Sequence, residues 1–365
     1  YDQKVADVLS MCTLCMTCTE HCPVQCQVQS TIIAARADQV ADKGIGFLSN
    51  LIYRWLIPRR SLFGHVVRMA SWFQVFLPKT EGSIRHLPDF LSAFGKKRQI
   101  PSIVPQFLRN QIPEVNKPRD GKAKRRVGYF MGCATDFVFP HVGRKTIDFL
   151  NRQGIEVIVP KAQGCCGVPV WSGAGDFETG RKMAETNVQA FAECDTVIVD
   201  CATCASGLKE YPKFLATPES AERMQAFADK VQYTAAFLVD DLKLPESAYQ
   251  PSEQVRGKKV TWHDPCHANR YLKIHDQPRK ILKALPGVEY VEMIRADRCC
   301  GMAGAFSLYH YDVSKGIADR KAETIAATKA DIVATGCPGC MIQLIDTMHR
   351  NHNPQKVMHL MDLLQ

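Results

Sequence analysis

The chain has 365 residues, 46 % hydrophobic and 23 % charged, the make-up of a globular protein of two or three domains. No uncharged apolar run reaches the roughly 18–20 residues of a membrane span; the nearest, 44–58, is short and carries Arg54. The formal net charge of +9 concentrates in Arg59-Arg60, Lys96-Lys97-Arg98 and Lys122-Ala123-Lys124-Arg125-Arg126, and no aromatic platform accompanies these runs, which argues against nucleic acid as a partner.

Four segments follow in chain order: 1–43, 44–126, 127–250 and 251–365. The first holds a dense cysteine run and then a helical stretch. The second has no cysteine and reads as a helical or linker region. Its stretch 44–78 places Trp55 and Trp72 among Arg54, Arg59, Arg60 and Arg68, which suits packing, subunit contact or a membrane interface. From Val127 onward strands alternate with helices, and the order occurs twice. Strands are expected over 126–130, 155–159 and 196–199, with helices over 142–153, 177–194 and from 201. The second round predicts strands over 259–262, 288–294 and 332–334, with helices over 279–285, 313–329 and from 337. The expected fold class is therefore α/β: two duplicated α/β domains related by a pseudo-twofold, preceded by an α-helical cysteine segment.

Each round carries five cysteines in one pattern. The first is Cys133, Cys165-Cys166-Gly167 and Cys201-Ala202-Thr203-Cys204; the second is Cys266, Cys299-Cys300-Gly301 and Cys337-Pro338-Gly339-Cys340. Sixteen cysteines in a chain of this length are too few for a disulfide scaffold, and adjacent cysteines bridge only through a strained ring. Metal-bound thiolates in a reducing, cytoplasmic compartment are the better reading. Each expected strand ends at a cysteine motif, and ligands of parallel α/β sheets bind beyond the carboxyl ends of strands. Gly167 and Gly301 are expected to let the backbone approach a metal or to supply a positive φ.

The N-terminal run Cys12-x-x-Cys15-x-x-Cys18-x-x-x-Cys22-Pro23 has the bacterial ferredoxin spacing for a [4Fe–4S] cubane. In two-cluster ferredoxins the fourth cysteine of such a run serves the other cluster. The simplest account is an upstream partner run lost with the natural N-terminus; the alternative is one cluster closed by Cys22, with Cys26 as a substitute. Cys26 and Cys194 otherwise read as buried free cysteines. His263 and His267 flank Cys266 and read as hydrogen-bond partners of a cluster ahead of direct ligands. Gly173-Ala174-Gly175 lacks the third glycine of a dinucleotide fingerprint, so no flavin or nicotinamide site is expected in this chain.

Gly164-Cys165-Cys166-Gly167, and Asp264-Pro265-Cys266-His267 with Cys299-Cys300-Gly301, resemble the cysteine-rich CCG domains. That family includes heterodisulfide reductase subunits, the iron–sulfur subunits of glycolate oxidase and lactate utilisation, and the third subunit of anaerobic glycerol-3-phosphate dehydrogenase. The resemblance implies one ferredoxin-type cubane on Cys12, Cys15, Cys18 and Cys22. It also implies one or two CCG-type [4Fe–4S] clusters, non-cubane forms included, on the ten paired-pattern cysteines, with one site as structural zinc the third alternative. It further implies an electron-transfer subunit that serves a flavoprotein oxidising a 2-hydroxy acid or glycerol-3-phosphate. Electrons would go on to a quinone or another carrier, with a membrane anchor or the cytoplasmic membrane face as a place of attachment. The alternative it implies is a heterodisulfide-reductase-like subunit whose CCG clusters reduce a disulfide.

Overall fold

A computed structural model describes the chain except residues 1, 78, 81–82, 86–97 and 120. Lys96 and Lys97 of the second basic run therefore lie outside the described residues.

Two sheets carry the body of the molecule. The first contains β1 (Val115–Asn116), β2 (Arg125–Phe130), β3 (Ile155–Ile158), β4 (Val197–Val199) and β5 (Val231–Tyr233) in the order β1-β3-β2-β4-β5. Only β1 runs antiparallel. The second contains β6 (Lys259–Trp262), β7 (Glu289–Val291), β8 (Ile332–Thr335) and β9 (Lys356–His359) in the order β7-β6-β8-β9, all parallel. Without β1, the first sheet has the same order as the second. The central strands are buried from end to end, as parallel strands covered on both faces require, which is why β4 reads Val-Ile-Val.

Helices cover these sheets and begin where the sequence supplies a start. Phe177–Ala190 is capped by Asp176, whose side chain accepts from the Thr179 N–H at 3.2 Å. Pro140 and Pro338 occupy the first turns of Pro140–Arg152 and Pro338–Arg350, where a missing N–H costs nothing. Ala202–Lys209 and Pro338–Arg350 start one residue after Cys201 and Cys337.

The expected strands and helices are present with shifted ends. The helix expected over 177–194 stops at Ala190, and the strand expected over 288–294 is only Glu289–Val291. Three strands that the pattern did not announce, β1, β5 and β9, extend the sheets. The last two each reach across to the other half. Tyr233 at the end of β5 donates its hydroxyl to the Gly336 carbonyl at 2.8 Å, and His359 Nε2 at the end of β9 lies 2.8 Å from the Asp200 carbonyl. Gly336 and Asp200 each immediately precede a Cys-x-x-Cys motif, so the two halves clasp each other beside their cysteines.

The segments before β2 lace the halves together. The Arg98 guanidinium donates to the Ser307 carbonyl and Gln343, and the Gln99 N–H donates to Asp346 at 2.7 Å, all in the second half. Arg60 and Arg109 converge on the buried Asp136 carboxylate of the first half.

Candidate metal centres at the seam between the halves

The strand ends place the cysteines. β2 and β6 lead into Cys133 and Cys266, β4 and β8 into Cys201 and Cys337, and the loops after β3 and β7 bring in the Cys-Cys-Gly turns. Gly167 and Gly301 both take positive φ, 76° and 90°, as expected. A side chain on Gly301 would meet the Ser314 carbonyl oxygen at 2.6 Å, so this turn tolerates only glycine.

The ten cysteines do not form two isolated groups. Thiol–thiol interactions connect Cys133 to Cys165, Cys165 to Cys166, Cys166 to Cys204 and Cys204 to Cys201 in the first half. In the second half they connect Cys337 to Cys340, Cys340 to Cys300, Cys300 to Cys299 and Cys299 to Cys266. Cys201 Sγ and Cys337 Sγ, 3.9 Å apart, close the gap between the halves. The result is one file of ten sulfurs through the interior.

Along this file every third sulfur favours the thiolate, with two raised thiols between. Hydrogen bonds from Cys165 and Cys204 hold Cys166 well below the ordinary thiol value. Those from Cys266 and Cys300 do the same for Cys299, and those from Cys201 and Cys340 for Cys337. Cys204 and Cys266 are pushed well above it by Cys166 and Cys299, and Cys340 by Cys300 and Cys337, with burial adding to each. The thiolate of Cys337 also sits at the first turn of Pro338–Arg350, where free backbone N–H groups favour negative charge. Three stabilised thiolates among buried thiols form a soft donor set, suited to iron–sulfur clusters or zinc and poorly suited to a hard cation. The residues present therefore fit the group the pattern implies.

The two halves differ in what surrounds their sulfurs. Beside the first site, Asn187 donates to the Cys165 carbonyl at 2.9 Å and to Tyr211, whose hydroxyl donates to the Cys166 carbonyl at 2.9 Å. Beside the second lies Lys321, donating to the Ala296 carbonyl at 2.8 Å; burial pushes its ammonium down to about 8. His263 is wholly buried there, and neither ring nitrogen has a hydrogen-bond partner among the described residues. Burial, with Lys321 nearby, pushes its imidazole down to about 3. One ring nitrogen and the sulfurs of Cys300 and Cys340 lie within 4.8 Å of one another. His267 behaves as a hydrogen-bonding residue, with Nδ1 2.6 Å from Ser206 Oγ and its ring stacked on Tyr271.

The N-terminal cysteines form a separate loop between Gln3–Ser10 and Val28–Lys43. Leu14 and Met16 adopt left-handed backbone, and the Leu14 N–H points at Cys12 Sγ at 3.4 Å. Cys12, Cys15 and Cys18 are close enough to repel one another as thiolates, whereas Cys22 pairs with Cys26. Cys26 was expected to be buried; it is exposed and its thiol is raised by Cys22, while Cys194 is buried beside Phe191 as expected. The loop is held against both halves. Arg36 donates to the Leu9 and Cys12 carbonyls at 2.7 and 2.8 Å and to Ser172 at 3.2 Å. Arg270, four residues after Cys266, bonds Glu20 and the Cys15 carbonyl, and Tyr271 bonds the Leu14 carbonyl at 2.8 Å. Cys15 raises the Cys266 thiol electrostatically, so this loop lies next to the second site.

Sequence reasoning missed the junction of the two sites and the clasp by Tyr233 and His359. Spacing within each repeat carries no signal for how two repeats dock.

The comparisons with known proteins agree with this geometry. The family model described as "Cysteine-rich domain" (CCG) matches residues 127–209 and again 260–345, one match per half. A "Probable glycolate oxidase iron-sulfur subunit" of Bacillus subtilis is 29% identical over 381 residues, covering 100% of this chain and 83% of that protein. A "Lactate utilization protein A" of Oceanobacillus iheyensis is 32% identical, covering 66% of this chain and 96% of that protein. One of the subunits of the fumarate reductase (CoM/CoB) of Methanothermobacter marburgensis is 33% identical, covering 66% of this chain and 46% of that protein. With two cysteine-rich domains and relatives of this kind, the chain belongs to the family of CCG-domain iron–sulfur oxidoreductase subunits.

Proposed function

We propose that the chain is the electron-transfer subunit of a multi-subunit dehydrogenase, working beside a flavoprotein that oxidises a 2-hydroxy acid such as glycolate or lactate. The observation that supports it most is continuity: the Cys12–Cys18 loop abuts Cys266, and the second site abuts the first through Cys201 and Cys337. Bound iron–sulfur clusters supply one-electron storage and transfer, with potentials set by ligands, burial and hydrogen bonds. Cys12, Cys15 and Cys18 would hold the ferredoxin-type group, with Cys22 or a residue from elsewhere completing it. The two five-cysteine sets would hold the others. The protein's own part is to exclude water from the seam, to present backbone N–H groups at the Cys-x-x-Cys helix starts, and to fix the loop with Arg36 and Arg270. The repeated strand order and the reciprocal Tyr233 and His359 bonds support a pseudo-twofold between domains 127–250 and 251–365, behind segments 1–43 and 44–126.

The test is anaerobic isolation from cells with iron, sulfide and zinc analysis. Iron and sulfide in near-equal amounts, with a co-purifying flavoprotein, are expected. Isolation without such a partner under conditions that preserve the clusters would count against the reading, and zinc in place of iron in one half would reduce that half to a scaffold.

A second reading is favoured by the meeting of both sites at one seam. Two electrons delivered there, with two protons, would cleave a disulfide into two thiols. Turnover of small disulfides by the reduced protein would support it.

The exposed face of 47–76 suits attachment to an anionic membrane surface. Phe47, Trp55, Trp72, Phe73 and Phe76 are all exposed, and Arg59 stacks over Trp55 at 4.3 Å. Residues 44–80 contain Arg54, Arg59, Arg60, Arg68 and Lys79 but no aspartate or glutamate. Among the described residues, no helix is long and apolar enough to cross a membrane. Interfacial burial of each aromatic is worth about 1.5–3 kcal/mol. Flotation with vesicles containing phosphatidylglycerol should therefore carry the protein upward, and Trp72→Asp should leave it at the bottom.

A further inference from the structure

We infer that His263 is a nitrogen ligand of the metal centre in the second site, so the two duplicated sites bind with different donor sets. The inference rests on the iron–sulfur reading and goes beyond the ten cysteines.

Three observations carry it. The ring is 0% exposed, and both nitrogens lack a partner among the described residues. A buried polar group left unsatisfied is destabilising, so a ring with two such atoms calls for something to bind. One of its nitrogens lies within 4.8 Å of Cys300 Sγ and Cys340 Sγ, the two sulfurs that link the Cys-Cys-Gly turn to the Cys-x-x-Cys helix. Ligand atoms of one metal ion sit about 3.3–3.8 Å apart, which a small inward movement of these three would reach. The backbone is also rigid here. The His263 N–H donates to the Ala334 carbonyl at 2.9 Å, as a continuation of the β6–β8 pairing, and Asp264 is fixed by Arg279 and the Trp262 indole. The imidazole is therefore presented by the sheet and not by a loose loop.

The first half has no equivalent. Three residues before Cys133 stands Phe130, packed in the core, which has no donor atom. Asn187 fills the place where the second half has Lys321, each 22 residues after the first cysteine of its Cys-Cys-Gly. A neutral imidazole in place of a thiolate makes a centre less negative and raises its reduction potential, as in iron–sulfur centres with histidine ligands. Electrons would then rest preferentially in the second site, beside the N-terminal loop.

Electron–nuclear double resonance on the intact protein, prepared with 15N-histidine, tests this directly. The second-site signal is identified by its loss in Cys299→Ser. A hyperfine coupling of the size of a directly bound nitrogen is expected on that signal and not on the first-site signal. His263→Gly should abolish it, and added 15N-imidazole should restore it, a rescue that a packing role would not give. His263→Cys should retain iron, lose the coupling and shift the second-site potential downward. The inference is overturned if the second-site signal shows no nitrogen coupling, or if the coupling survives in His263→Gly and disappears in His267→Gln. Absence of any iron-based signal from the second site would overturn this inference and the iron–sulfur reading of that half together, an outcome separable from the first two.

Discussion

The turn that follows the leading cysteine carries opposite charge in the two halves. In the first, Asp136 stands three residues after Cys133, wholly buried, and gathers Arg60 and Arg109 from the segments before β2. In the second, Arg270 stands four residues after Cys266, 1% exposed, and gathers Glu20 and Asp297. The duplicated scaffold thus uses the same place for different clients: a cationic arm on one side, the cysteine loop on the other. A repeat keeps its backbone and its metal pattern, while single residues beside the pattern decide what docks there.

Substitutions that remove a sulfur should have the largest effect. Cys300→Ser should strip the second half of metal and leave the first loaded, and Cys166→Ser should do the reverse, as read by iron and sulfide content and paramagnetic resonance. Cys337→Ser should disturb the signals of both halves, because its sulfur touches Cys201 as well as Cys340. Equal and independent losses in all three variants would break the picture of a joined file.

Next comes Asp136→Asn, which leaves two largely buried guanidinium groups without their carboxylate. Removing one partner of a buried ion pair costs about 3–5 kcal/mol, so the denaturant midpoint should fall sharply. The corresponding change in the second half, Arg270→Gln, should cost less, about 1–3 kcal/mol, because Glu20 and Asp297 are each about a third exposed and water recovers them. Its clearer mark should be faster limited proteolysis within residues 1–43. An unchanged cleavage rate would show that Arg36 and Tyr271 suffice to hold the loop.

The smallest effect is a pH dependence carried by Glu210 in the first half. Burial raises the Glu210 carboxyl to about 7, with Lys213 lowering it only in part. The folded chain holds this proton more tightly than the unfolded one. The corresponding stability is therefore fully present below the ordinary carboxylate range and lost as pH rises through about 7. Glu210→Gln should flatten that part of the stability profile. The place equivalent by distance from the Cys-x-x-Cys motif is Asp346, which accepts from Gln99 and Arg350.

Much of this was legible in the residues. Strands such as Val197–Val199 and Ile332–Thr335 are short, β-branched and followed at once by cysteine, so pattern and position agree. Val231–Tyr233 and Lys356–His359 escaped because each offers one valine among polar or flexible residues and no cysteine after it. Their strand character comes from pairing with β4 and β8, a tertiary cause. His263 was visible as a neighbour of Cys266, but only its burial and the missing hydrogen-bond partners of its ring among the described residues set it apart from His267, which has Ser206 and Tyr271. Cys26 looked like core by residue type, yet it follows a proline-ended loop that leaves it in solvent.

The depth of the sulfur file has a consequence for how the protein comes into being. Cys165, Cys166, Cys201, Cys204, Cys300, Cys337 and Cys340 are all 7% exposed or less, behind a clasp made by the last strand of each sheet. β9 also follows all ten cysteines of the file in the chain, so they are synthesised before it. Loading must precede the closing of that clasp or wait for it to open, so the moment at which Lys356–His359 joins its sheet sets the time window for maturation.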